Sequence, residues 1–407
     1  MTTAIRPIGL LIATALFATF APAQLWAGGF NTAPADPVFN FGPESAWMNP
    51  AGMTGVKTPA VTASFGVALP VMKFDPSLAG AGGDDGGNAG VAGGSPAVFA
   101  VVPIGEDFRL GFSLLSPFGA ATGTGVDYGR EFVGRYAATE AEISSLAFGP
   151  SVAYQVTDDF SIGVGAVAMY TSFDQKIALD TPGADGQFHL DELDGWSGLF
   201  YGGLLYQITQ QTSVGVVYRS ESNVDVSGDG VFSGLPVTLP VLDLELEWDT
   251  PQSVQVGVQH AFSPSWIVGL DFAWEDWSVF SENQVSASFS GGVGISTTID
   301  RNWMDSYAGE ISVTHIDGQN VYNVGLIYVT SVVDDGDRTI DLPLDDSFVV
   351  SLAAARNESE NLTYGIGATI IFNGDAEVDQ TAQGTRFAGE FDTNIIFVIG
   401  ASLQWRF

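Results

Sequence analysis

The stretch Phe391-Asp392-Thr393-Asn394-Ile395-Ile396-Phe397-Val398-Ile399-Gly400-Ala401-Ser402-Leu403-Gln404-Trp405-Arg406-Phe407 decides the fold. Its odd positions are Phe391, Thr393, Ile395, Phe397, Ile399, Ala401, Leu403, Trp405 and Phe407; its even positions include Asp392, Asn394, Gly400, Ser402, Gln404 and Arg406. Successive side chains of a strand point to opposite faces, so one face is apolar with aromatic ends and the other is polar or small. That is the pattern of a strand with lipid on one side and a wet lumen on the other. Phe160–Tyr170 repeats it, with Ile162, Val164 and Ala168 against Ser161, Gly163 and Gly165. Leu242–Val258 repeats it again, with Asp243, Glu245, Glu247 and Asp249 between Leu242, Leu244, Leu246 and Trp248, the apolar set expected on the lipid side.

Working outward, about fourteen alternating segments run from 59–69 to 391–407. Their connections alternate in length. Short turns fall at 104–107, 157–159, 208–211, 262–265, 316–319 and 357–360. Longer Gly/Asp-rich loops fall at 70–94, 117–140, 181–194, 227–240, 290–302, 333–345 and 374–390. A membrane barrel has short periplasmic turns and long outer loops, and an even strand count puts both chain ends on the periplasmic side. Trp196, Trp248, Trp266, Trp303 and Trp405 fall near strand ends, where interfacial girdles are expected. The fold class is therefore all-β: a fourteen-stranded antiparallel transmembrane β-barrel.

Composition agrees. The 407 residues hold 50 Gly and 46% hydrophobic side chains, with 13 Lys+Arg against 47 Asp+Glu and a net charge of −34. Such a surface repels phosphate, so no nucleic-acid partner is expected. The absence of cysteine excludes a disulfide scaffold, a thiolate metal site and a cysteine nucleophile. Only three histidines occur, and no catalytic group, metal or cofactor is expected. An enzyme of lipase type needs a Ser–His pair at the outer rim. His260 and His315 lie near periplasmic turns, and His189 has Asp191 and Glu192 as neighbours rather than a serine. Gly163–Ala168 fits a dinucleotide fingerprint, but inside an alternating strand it has no helix to cap. The Gly-rich 80–94 stretch, with Asp84 and Asp85, shows no repeat period and reads as a loop, not a calcium site.

Arg6, the apolar run Ile8–Phe20 and the small residues before Ala23 or Ala27 read as a secretory signal peptide over 1–27. Beyond it no uncharged apolar run reaches the ~20 residues of a membrane helix. Residues 28–57 carry Phe30, Phe39, Phe41, Trp47 and Met48 without strand alternation. A barrel this wide cannot fill its lumen with its own side chains. The segment is therefore expected to fold inward as a plug, leaving 58–407 as the barrel.

Several motifs then carry a resemblance. Asn49-Pro50-Ala51 ends the plug segment. Ser116-Pro117-Phe118-Gly119, Gly134-Arg135-Tyr136-Ala137, Gly149-Pro150-Ser151-Val152-Ala153-Tyr154 and Phe160-Ser161-Ile162-Gly163-Val164-Gly165 follow in order. Trp303, Asp305 and Ser306 come later, as does Arg338-Thr339-Ile340-Asp341-Leu342-Pro343-Leu344. In this order, with the strand count and terminal Phe407, the chain resembles the outer-membrane long-chain fatty acid and hydrophobic-compound transporters, which include aromatic-hydrocarbon channels. The resemblance implies a monomer of the Gram-negative outer membrane, with a hatch containing Asn49, Pro50 and Ala51. It implies passive uptake of lipophilic cargo and a kinked third strand that opens the wall near Pro117 and Gly119. It also implies contact with outer-membrane lipid and lipopolysaccharide, and Phe407 as the signal read by the barrel-assembly machinery.

The residues expected along the pathway are Phe30, Phe39, Phe41, Trp47, Met48, Phe118, Phe132, Arg135 and Tyr136. A carboxylate cargo would want a cation, and Arg130, Arg135, Lys176 and Arg338 are the candidates, set against surface salt bridges to the surplus acids. A water-filled diffusion porin is the alternative function.

Overall fold

The computed structural model describes residues 38–118, 124–289 and 293–407. The signal peptide, Phe30 and Gly119 lie outside the described residues. The rest forms one antiparallel sheet closed on itself, a barrel of fourteen wall strands, some of them interrupted. The first is Ala60–Ala79, the second Gly93–Ile104, and the third Phe108–Leu115 resuming at Thr124–Asp127. The fourth, fifth and sixth are Glu140–Thr157, Phe160–Leu179 and Gly186–Gln207. The seventh is Thr212–Arg219 with Ser222–Ser233, and the eighth Leu242–Thr250 with Ser253–Ser263. The ninth is Trp266–Glu275 with Glu282–Phe289, and the tenth Val293–Asp300 with Ser306–Asp317. Asn320–Val329 and Ser347–Asn357 are the eleventh and twelfth. Leu362–Asn373 with Val378–Ala382 is the thirteenth, and Thr385–Arg406 the last.

Closure is made by the stretch quoted first. Ala60 pairs with Arg406, Phe65 with Ala401 and Leu69 with Phe397 along the seam between the first and last strands. A closed sheet leaves no unpaired edge, the condition for backbone to lie in lipid. Its Ala60–Arg406 end sits with the short turns, as the even strand count requires, and its Ala79–Phe387 end with the long loops.

Around the membrane band the outward side chains are apolar: Ile162, Val164, Phe200, Val256, Leu270, Ile311, Leu352, Ile366 and Ile399 are exposed. Aromatic pairs edge the band. Phe108 meets Tyr154 at 4.6 Å and Trp266 stacks on His315 at 4.2 Å on the periplasmic side. Tyr170 meets Trp196 at 5.3 Å on the outer side. Trp196 and Tyr206 are roughly ten residues apart on a tilted strand, which gives about the 25 Å height of an outer-membrane apolar band.

Above the outer girdle the faces exchange chemistry. On the fifth strand Phe173 and Ile177 turn inward and are buried, while Asp174 and Lys176 face out. On the eighth strand Leu242, Leu244 and Leu246 are buried inside, and Asp243, Glu245 and Glu247 are exposed. The alternation expected over Leu242–Val258 is present, but its upper half is turned the other way: this part stands in water, so the apolar face goes in. Trp303 departs from the expected girdle for the same reason. It is 5% exposed and packs inside against Trp277 and Phe280, at 5.5 and 4.8 Å between ring centres.

Candidate lumen binding site

The site begins with residues 38–56, which lie against the inner wall. Asn49 organises them. Its Nδ2 donates to Val38 O at 2.9 Å, and its Oδ1 accepts from Ala51 N at 3.2 Å, capping the short 3-10 helix Pro50–Gly55. Pro50 suits the first helical position because it has no N–H to leave unpaired. The wall answers with matching groups. Tyr201 OH donates to Ala46 O at 2.6 Å, and Ser161 Oγ to Ala51 O at 3.2 Å. Arg109 Nε donates to Val56 O at 2.7 Å. Arg219 donates to Trp47 O and Met48 O at 3.3 and 3.1 Å and lies over the Trp47 ring at 5.1 Å. Gly163 and Gly203 allow the approach: a Cβ on Gly203 would sit 2.0 Å from Asn49 Oδ1.

Outward from this segment lies the largest apolar cluster. Trp47, Met48, Phe99, Leu115 and Phe118 join Phe173, Phe188, Leu190, Leu244, Trp277, Phe280 and Trp303 in it. Trp277 and Phe280 reach the lumen because the ninth strand breaks into a 3-10 turn, Trp277–Phe280, between its two halves. Within this region Trp47 Nε1, Thr171 Oγ1, Ser197 Oγ, Ser222 Oγ and Arg219 Nε are buried with no hydrogen-bond partner among the described residues. Buried polar atoms are nearly always paired, so a set of this kind in an apolar lumen needs a reason.

The expected pathway residues do not form one group. Trp47, Met48 and Phe118 share the large cluster. Phe132 and Tyr136 belong to a second one under the outer loops, with Phe74, Tyr128, Phe387 and Phe391. Phe39 packs with Val38, Ala51 and Leu205. Phe41 is 49% exposed and faces the periplasmic mouth, where it lines a cavity of about 560 Å³ with Phe39, Lys57, Gln259 and Arg406.

The cations named from sequence are engaged elsewhere. Arg135 Nε binds Asp185 at 2.8 Å and stacks on Tyr136 at 4.6 Å. Arg130 donates to Gln187 at 2.9 Å, and Lys176 binds Glu140. Arg338 is buried between Asp335 and Asp345, at 2.7 and 3.3 Å. Among the described residues Arg109, Arg219 and Arg301 are cations turned inward, and sequence reading missed all three. Arg301 donates from Nε to Asn283 at 2.7 Å and lies over Phe280 at 5.1 Å. Burial pushes the Arg301 guanidinium down to about 10 and the Asp341 carboxyl beside it up to about 6. The available signal was the break in alternation at Asp276–Ser281 and the position of Arg301 two residues before Trp303.

Among the described residues the third strand leaves its ladder after Leu115. Its ladder with the second runs from Ile104↔Phe108 to Val98↔Leu114, and the chain then turns in at Ser116-Pro117-Phe118. Ser116 Oγ donates to Ser145 O at 2.6 Å, Phe118 N donates to Ser145 Oγ at 3.2 Å, and Phe118 is buried. Pro117 can donate nothing to a ladder. Pairing resumes where Asp127 N donates to Ala89 O at 2.8 Å.

A family model described as outer membrane protein transport protein (OMPP1/FadL/TodX) matches residues 9–407. The chain belongs to this family. It is a β-barrel protein of the bacterial outer membrane. A long-chain fatty acid transport protein of Salmonella typhi is 24% identical over 318 residues, 70% of this chain and 68% of that protein. Among solved structures, a Pseudomonas aeruginosa FadL homologue superposes with a TM-score of 0.82 at 19% identity, covering 97% of this chain and 99% of that one. The Ralstonia pickettii toluene transporter TbuX gives 0.69 at 18%, with 96% and 98% covered. At these identities the superpositions establish the fold.

Proposed function

We propose that this protein carries hydrophobic small molecules, long-chain fatty acids or aromatic hydrocarbons, passively across the outer membrane. The relatives are named for those two cargo classes. The observation that carries the reading is the apolar cluster inside the barrel, with buried polar atoms at Trp47, Thr171, Ser197, Ser222 and Arg219 that have no hydrogen-bond partner among the described residues. A lipophile site is an apolar pocket with a few polar anchors. Burying ~10 methylenes of an alkyl chain gains roughly 8 kcal/mol before binding costs. Such a ligand leaves slowly unless something moves. In this reading residues 28–57 act as the hatch, with Asn49, Pro50 and Ala51 as its fixed point. Cargo leaves sideways near Pro117 and Gly119; the inward turn at Ser116–Phe118 supports this route.

Arg219 is the group suited to a carboxylate end; Arg135 holds a loop. The periplasmic route past Phe41 is the competing exit. The protein works as a monomer among outer-membrane lipid and lipopolysaccharide, is cut after Ala23 or Ala27, and presents Phe407 to the barrel-assembly machinery. The experiment is uptake of radiolabelled oleate and toluene by cells with and without the gene. Faster uptake of either supports the proposal; equal uptake of both refutes it. A large steady current from the purified protein in planar bilayers would instead favour an open porin.

A further inference from the structure

The outer extension of the barrel carries a group of ligand atoms that cargo transport does not use. On the outward faces of the fifth and sixth strands, His189 Nε2 lies 2.7 Å from Asp174 Oδ2 and 3.7 Å from Asp191 Oδ1. All three ligand atoms fall within 4.8 Å of one another. One bulge in the sixth strand brings them together and shifts the ladders on both of its sides. The ladder slips at Asp174, between Phe173 and Gln175, and again between Asp191 and Asp194. At the bulge Glu192 takes φ 47, and both Asp191 and Glu192 turn away from the lumen. Bulges of this kind re-aim side chains.

The surroundings demand positive charge. Asp191 pairs directly across the ladder with Asp229, and Asp229 with Asp243. Glu142 stands opposite Asp174 in the same way. Like charges directly opposed destabilise a sheet. The nearby cation, Lys176, faces His189 across the ladder but is bound to Glu140.

We propose that Asp174, His189 and Asp191 bind a divalent first-row transition ion, zinc being the representative, with water completing the shell. An imidazole with two carboxylates is a donor set for such ions; calcium and magnesium take oxygen alone. Zinc bonds of about 2.0–2.2 Å place tetrahedral donors about 3.3 Å apart. The 2.7 Å contact therefore opens by about 0.6 Å and the 3.7 Å contact closes by about 0.4 Å, which side-chain rotation supplies. Binding releases the Nε2 proton to solvent and leaves its lone pair on the metal. The ion clips the fifth strand to the sixth on the outside of the wall whose inner face carries Phe173, Ile177, Phe188 and Leu190. It thereby stiffens the apolar lining at the extracellular end.

The test is isothermal titration of zinc chloride into the chelator-washed, detergent-solubilised full chain. One equivalent is expected. His189→Ala and Asp191→Asn are each expected to weaken binding at least tenfold, while a His260→Ala/His315→Ala variant keeps it. Copper(II) bound to the native chain should show one-nitrogen coupling in its electron paramagnetic resonance spectrum, lost in His189→Ala. Circular dichroism checks that each variant remains a folded barrel. Zinc binding unchanged in folded His189→Ala overturns the proposal. So does an absence of zinc binding, or zinc and calcium binding equally and indifferently to the variants; the acids would then be a diffuse counter-ion belt.

Discussion

Replacing Arg219 with Met tests how the N-terminal segment is held. The guanidinium makes two hydrogen bonds to main-chain carbonyls, at Trp47 and Met48, and lies over the indole of Trp47. A hydrogen bond to a charged group contributes ~1.5–3 kcal/mol, and a desolvated cation–π contact about 2. The terms are not additive, and removing a buried charge recovers desolvation energy. A net loss of about 3 kcal/mol is the reasonable figure, roughly a hundredfold in the local opening equilibrium. Hydrogen exchange at the amides of residues 44–53 reads this directly, because local opening free energy sets the exchange rate there. Exchange is expected to quicken about a hundredfold there and little in the seam between the first and last strands. Planar-bilayer recordings should show more frequent openings. Arg338→Met is the control: that side chain is buried but ties an outer loop, through Leu344 O at 2.6 Å and Asp335. Unchanged protection over 44–53 in Arg219→Met, with the barrel folded, would refute the idea that this contact holds the segment.

Three further outcomes are expected. Gly203→Ala places a methyl 2.0 Å from Asn49 Oδ1 and should displace the Asn49 cap, loosening residues 49–53 by ~1–3 kcal/mol in the same exchange measurement. Burial raises the Asp341 carboxyl to about 6, so the folded protein holds its proton more tightly than the unfolded chain does. Its contribution is therefore full below about pH 4 and is lost as pH rises from about 4 to about 6, so protection of the 338–344 loop should fall by up to roughly a hundredfold over that window, and Asp341→Asn should flatten the profile. Leu270→Arg puts a cation in the lipid band and should cost about 2–4 kcal/mol in urea unfolding from bilayers, whereas Asp243→Arg, on the watery extension, should cost almost nothing.

The lumen was less legible than the wall. Asn49, Pro50 and Ala51 stand out in sequence, and the structure gives them a shared hydrogen-bond geometry. Arg135 stands out equally but is spent on Asp185 and Tyr136. Arg109 and Arg219, which look ordinary in alternating runs, are cations that meet the N-terminal segment. A side chain's use in the lumen depends on which strands stand beside it, and neighbours such as Trp47 and Arg219 are far apart along the chain.

The sequence by itself determined the two-residue period, the alternation of short and long connections and the meeting of both chain ends on one side. These follow from local backbone geometry and from turn chemistry. It did not determine which face looks outward. Ile162 and Val164 face lipid, whereas Leu242, Leu244 and Leu246, in an equally clean alternation, face the interior. A strand's pleat separates two sets of side chains but carries no mark of inside and outside. That choice was made by height: within the band the outer medium is hydrocarbon and the apolar set turns out, and above the Tyr170–Trp196 girdle it is water and the same kind of set turns in.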